Sequence, residues 1–107
     1  MDQVDIAWVA GIIEGEGTFG YNGRKETTTS SKVQVIMTDE DIIRRLQSVT
    51  GMGRVSGPHG PYKPGYLPTW CWAIRVKRDL ARIFLAIYPL LGERRREQLQ
   101  VCVERSF

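Results

Sequence analysis

An α+β domain built on an antiparallel sheet is what this sequence predicts, and three observations predict it. The apolar spacing switches in the order helix, strand, strand, helix, strand, strand, helix, helix along the chain. The connections inside each strand pair are too short for a parallel crossover. A length of 107 residues with 42% hydrophobic content leaves room for one domain, spanning 1–107, and no second.

The first helix is expected from Val4 to Ile13. Its apolar residues Val4, Ile6, Ala7, Trp8, Val9, Ala10, Ile12 and Ile13 wrap almost the whole circumference, with Asp2 or Asp5 available as a cap. A helix apolar on every side is buried on every side, so in a domain this small one flank calls for cover from another chain. Ala7, Gly11 and Gly15 fall at i, i+4 and i+8. They form a stripe without bulky side chains, along which a second helix of this subunit or of another can approach closely.

After Gly17, TFGYN reads as a strand, GRKETTTSSK as a polar turn region and KVQVIM as a second strand. Val33, Val35 and Met37 share one face of it; Lys32, Gln34 and Ile36 share the other. The same parity sends Phe19 and Tyr21 inward and Thr18, Gly20, Asn22 and Arg24 outward. TDEDIIRRLQSVTG opens with cap signals at Thr38 and Asp39, places Ile42, Ile43, Leu46 and Val49 at helical spacing, and stops at Gly51. A short strand from Arg54 to Ser56 leads into a Pro/Gly-rich loop from Gly57 to Pro68. TWCWAIRVK then alternates cleanly, with Trp70, Trp72, Ile74 and Val76 on one face and Cys71, Ala73, Arg75 and Lys77 on the other, basic one. RDLARIFLAIYPLL reads as a helix ending near Pro89 and ERRREQLQVCVERSF as a final helix.

Fifteen Lys and Arg against twelve Asp and Glu leave a net charge of +3, which suits a polyanionic partner without selecting one. Two cysteines and one histidine are too few for a structural zinc site. His59, needed for any Ser/His/Asp arrangement, falls in the Pro/Gly loop. No apolar run approaches the ~20 residues of a membrane span, and MDQVDIAWV is acidic where a secretion signal is basic. The expectation is an intracellular, reduced protein, cytoplasmic or nucleoid-associated, with Cys71 and Cys102 as buried thiols.

The stretch GIIEGEGTFG holds a GxGxxG run at Gly15, Gly17 and Gly20. A dinucleotide fingerprint needs a strand before that run and a helix after it. Here the order is reversed, which excludes it. A plain helix stop accounts for the glycines but leaves Glu14 and Glu16 at the negative end of a helix dipole, where acids are disfavoured. A divalent cation compensates them, and a glycine on either side of Glu16 lets backbone, metal and phosphate approach closely.

WVAGIIEGEGTF, from Trp8 to Phe19, resembles the LAGLIDADG motif of homing endonucleases. Val9 to Gly17 fill its nine positions in register, with Val and Ile for the two Leu, Gly for the second Ala and Glu for both Asp. MTDEDIIRRL and YPLLGERRREQ are similar to the family's second-helix and C-terminal segments. The resemblance implies an αββαββα core with a saddle-shaped antiparallel sheet and an extra C-terminal helix. It further implies a divalent-metal-dependent DNA endonuclease that uses Mg²⁺ or Mn²⁺ and cuts double-stranded DNA.

A chain with one such motif is implied to act as a homodimer on a pseudo-palindromic target, its motif helices packed through Ala7, Gly11 and Gly15, with Glu14 capping or orienting the helix ends. Glu16, with Gly15 beside it, is implied as the metal position. Arg94 or Arg95 would organise water around the scissile phosphate. Met37 followed by Thr38 stands where the family carries a polar residue, a departure that bears on efficient cleavage. With the sheet in the major groove, the outward residues Asn22, Arg24, Lys32, Gln34, Arg54, Ser56, Arg75 and Lys77 become candidate DNA contacts. A cleavage-inactive DNA-binding protein or an RNA maturase is the alternative, since basic faces serve those roles equally well.

Overall fold

The computed structural model describes residues 1–21 and 31–106. Its elements are α1 (Gln3–Glu16), β1 (Gly17–Tyr21), β2 (Ser31–Met37), α2 (Glu40–Thr50), β3 (Arg54–His59), β4 (Thr69–Ile74), α3 (Lys77–Ile87) and α4 (Glu93–Glu104), with a 3-10 turn at Tyr88–Leu90 before α4. The strands form one antiparallel sheet in the order β1-β2-β4-β3, so β1 and β3 are its edges. The α+β architecture and the element order are those expected.

The core lies between one face of the sheet and the helices. Val33 and Val35 of β2 and Trp72 and Ile74 of β4 meet Val9 and Ile13 of α1, Ile43 and Leu46 of α2, Leu80, Ile83 and Ile87 of α3, and Leu99 of α4, all at most 1% exposed. Strand parity delivers these residues to one face, and helical spacing delivers their partners. Trp72 Nε1 donates to Met52 O at 2.9 Å, which satisfies the buried indole. Gly53 makes room for it: its φ is +85°, and a β carbon there would stand 2.6 Å from Trp72 Nε1.

Several boundaries differ from the expectation. β3 runs on to His59, which pairs with Thr69 after an irregularity beyond Ser56, so His59 belongs to a sheet edge and not to a loop. Its Nε2 lies 3.1 Å from Ser56 Oγ. β4 ends at Ile74, because Val76 turns to become the N-cap of α3 and is itself exposed. Arg75 therefore lies just past the sheet and Lys77 opens α3, so neither is a strand residue.

Tyr21 keeps its expected parity but sits exposed at the sheet edge under the Arg105 guanidinium, 4.4 Å from the ring centroid. Both cysteines are free thiols. Cys102 is buried, and burial pushes its thiol up from the ordinary cysteine pKa, against the smaller lowering effects of hydrogen bonding with the Lys32 backbone and the Ser31 side chain. Cys71, expected to be buried, is half-buried on the other face of the sheet. No helix among the described residues is long and apolar enough to cross a membrane.

Candidate functional site

The helices cover one face of the sheet and leave the other open. Register places Thr18, Gln34, Ala73 and Arg54 in one row across that open face. Ile36, Cys71 and Ser56 make a second row towards the α1 end, and Gly20 and Lys32 a third on the opposite side. Of the eight expected contact positions, Lys32, Gln34, Arg54 and Ser56 lie together on this face. Asn22 and Arg24 fall outside the described residues.

Arg75 is exposed beside the end of β4, and Lys77 is exposed at the start of α3. Lys32, Arg54 and Arg75 make no ion pair among the described residues, whereas Arg44, Arg78 and Arg82 each have a carboxylate neighbour. Unneutralised cations on and beside an open sheet create a field that attracts anions.

At one end of the open face, α1 hands directly over to β1. Asp2 caps the start of α1, accepting from Asp5 N at 2.8 Å. The last turn of α1 contains no basic residue of its own. α4 supplies one: Arg95 Nε donates to Glu14 O at 3.0 Å and Arg95 Nη2 to Gly17 O at 2.7 Å, while the guanidinium lies 5.2 Å from the Phe19 ring centroid. A cation on the terminal carbonyls complements the negative end of the helix.

Glu14 completes the clamp. Its Oε1 accepts from Gly92 N at 2.7 Å, at the N-terminus of α4, where a carboxylate is favoured. Part of the compensation that the acidic motif requires is thus supplied by α4. Glu16 receives none of it: the side chain is exposed and makes no hydrogen bond or ion pair among the described residues.

The motif's three small positions differ in what demands them. A β carbon at Gly17 would lie 2.6 Å from Ile13 O and 2.9 Å from Ile13 Cγ2, so the turn from helix into strand itself requires glycine. Gly11 and Gly15 meet nothing within 4 Å. Ala7, Gly11 and Gly15 are all exposed, as is Val4 at 73%. α1 is therefore not buried on every side, and among the described residues its small stripe packs against no other helix.

Arg94 is exposed and makes no hydrogen bond or ion pair among the described residues. With Arg95 it lines an open groove of about 610 Å³ between β1 and α4. Met37 is half-buried on the helix-covered face, opposite Trp70, and offers nothing polar to the open side. Sequence reasoning missed Arg95's clamp role; the run Arg94, Arg95, Arg96 holds no signal for which arginine turns back towards α1.

Neither a family model nor a curated protein sequence matches the chain. Solved structures do. The homing endonuclease I-CvuI, in complex with its target, superposes on 95% of this chain with a TM-score of 0.77 at 16% identity. The archaeal intron-encoded homing endonuclease I-Vdi141I, complexed with DNA, covers 92% with a TM-score of 0.71 at 13% identity. The LAGLIDADG meganuclease I-AabMI, bound to uncleaved DNA, covers 91% with a TM-score of 0.73 at 14% identity.

The fold is that of the LAGLIDADG homing endonucleases. The chain spans 65% of the length of I-CvuI and of I-Vdi141I, and 34% of I-AabMI. Within the LAGLIDADG fold of this chain, the nine-residue motif Val9–Gly17 occupies α1 from Val9 to its end and the first residue of β1, with Glu16 at the junction.

The clamp on that junction is open to measurement. Arg95→Lys keeps the charge but cannot reach Glu14 O and Gly17 O together, because one ammonium cannot match the guanidinium fork. The expected loss is about 1–2 kcal/mol, read from the urea midpoint. An unchanged midpoint would show that the clamp contributes nothing to stability.

Proposed function

We propose that this chain is a site-specific double-stranded DNA endonuclease that acts as a homodimer on a pseudo-palindromic target with a divalent metal. The observation that carries the reading is Glu16: an exposed carboxylate without a partner among the described residues, clamped by its backbone surroundings at the end of an open, cation-bearing sheet. A surface that only bound DNA would have no use for an acid facing the phosphates, since like charges repel there.

Among the described residues no group of three or more His, Cys, Asp or Glu side chains gathers. Two α1 helices packed through Ala7, Gly11 and Gly15 bring two Glu16 carboxylates together, and phosphate oxygens complete a set of oxygen ligands that suits Mg²⁺ or Mn²⁺. Such an ion supplies charge neutralisation at the phosphate and activation of water. The chain's own residues hold Glu16 at the junction through Arg95 and Gly92, present Arg94 nearby, and meet the duplex with Lys32, Gln34, Arg54 and Ser56; Arg75 and Lys77 reach it from beside the sheet.

The exposed stripe supports the dimer. An exposed glycine inside a helix costs up to about 1 kcal/mol relative to alanine, and nothing among the described residues needs Gly11 or Gly15 to lack a side chain. A facing helix does. The second reading, a cleavage-inactive DNA-binding protein or RNA maturase, draws on Met37, which leaves one polar contribution to the water network absent.

Incubating the purified protein with a randomised duplex library and Mg²⁺ tests both. Defined double-strand breaks at a two-fold-related sequence are the expected result. Duplexes retained in a pull-down without any breaks would transfer the conclusion to the second reading.

A further inference from the structure

The open face of the sheet carries one side chain that neither charge nor folding accounts for. Ile36 is 48% exposed, and it is the large apolar residue left exposed on that face among the described residues. Its strand neighbour Val35 points the other way and is fully buried. Ile36 is not among the partly buried side chains packed against the core, so its apolar surface does not contribute to the core.

Its surroundings are graded. Across the sheet it pairs with Cys71, half-buried and weakly polar, which pairs in turn with Ser56. The next row, on the side away from α1, carries Gln34 and Arg54 on either side of the buried Ala73. Ile36 therefore stands one register step on the Glu16 side of the Gly17–Val35 pair, and the hydrogen-bonding side chains stand on the other side.

Those two rows differ in what they can recognise. Gln and Arg suit the hydrogen-bonding edges of adenine and guanine, while the apolar feature of a base pair in the major groove is the 5-methyl group of thymine. Residues two apart on one strand face are ~6.8 Å apart, about twice the ~3.4 Å rise per base pair, so neighbouring rows meet base pairs about two steps apart.

Resting on the DNA-binding reading above, we propose that Ile36 is a specificity-determining residue that reads the 5-methyl group of a thymine, on the Glu16 side of the bases met by Gln34 and Arg54. The contact removes apolar surface of both groups from water, and it discriminates against cytosine by leaving the Ile36 side chain without a methyl to cover it.

The test starts from duplexes selected out of a randomised pool with the purified protein. The selected duplex is resynthesised with deoxyuridine at each thymine in turn, which deletes the methyl and leaves pairing unchanged. One thymine per half-site is expected to weaken binding about fourfold on losing its methyl, and Ile36→Ala should bind the thymine and uracil duplexes equally. A selected site that tolerates uracil everywhere overturns the inference and leaves the DNA-binding reading standing. A uracil effect that persists undiminished in Ile36→Ala assigns the methyl to another residue and overturns it too. Failure to select any duplex removes the DNA-binding reading and this inference together.

Discussion

Cleavage by Glu16→Gln should fall by at least about a thousandfold, the loss of several kcal/mol of metal-borne stabilisation, while affinity for the target duplex changes by less than about threefold. Gln fills the same volume without the charge, and among the described residues Glu16 holds no bond whose loss would disturb the fold. Stability should move the other way. A carboxylate in the last turn of α1 faces the negative end of the helix dipole, so its neutralisation is worth about 0.3–1 kcal/mol, or a few degrees in Tm. A variant that is more stable and yet inactive identifies a residue kept for chemistry. Equal loss of binding and cleavage would instead make Glu16 structural.

Gly11→Leu should convert the proposed dimer to a monomer with unchanged helix content. The chain itself has room, since a β carbon at Gly11 meets nothing within 4 Å. A second α1 does not: forcing a leucine into each of two facing helices costs on the order of 1–3 kcal/mol per copy, which raises the dimer Kd by about thirtyfold or more. Sedimentation reads the mass and circular dichroism the fold. DNA affinity should drop with the dimer, because the two half-sites are no longer engaged together. A variant that still sediments as a tight dimer would move the interface elsewhere on the surface.

Element order and the core were legible because period and burial have one cause. Val33, Val35, Trp72 and Ile74 alternate in the sequence and are buried together in the fold. Boundaries were not, where two local preferences agree over the disputed residues. Arg75, Val76 and Lys77 continue the alternation of β4, yet the helix that begins at Lys77 takes Val76 as its cap, and tertiary packing decides between them. Gly57 and Pro58 look like a loop, but β3 carries them through an irregular register to pair His59 with Thr69.

The motif was readable as nine consecutive residues, Glu16 among them. Its clamp was not. Glu14 reaches Gly92, and Arg95 reaches Glu14 and Gly17, across 78 to 81 positions of chain, and no local pattern encodes a contact at that separation. The dipole argument required a compensating charge at the end of α1. It could not say that a side chain from the other end of the protein would provide part of it.

That separation sets an order of events during synthesis. A ribosome releases α1 and β1 long before it releases Arg95, and contacts so distant in sequence are among the slow ones to form. A half-made chain can have its first helix and the start of its sheet without a fixed junction between them. The hydrogen bonds of Arg95 and Gly92 that fix the junction form only when α4 has emerged and docked, so under the proposed nuclease function a nascent or truncated chain would lack the fixed geometry that cutting requires.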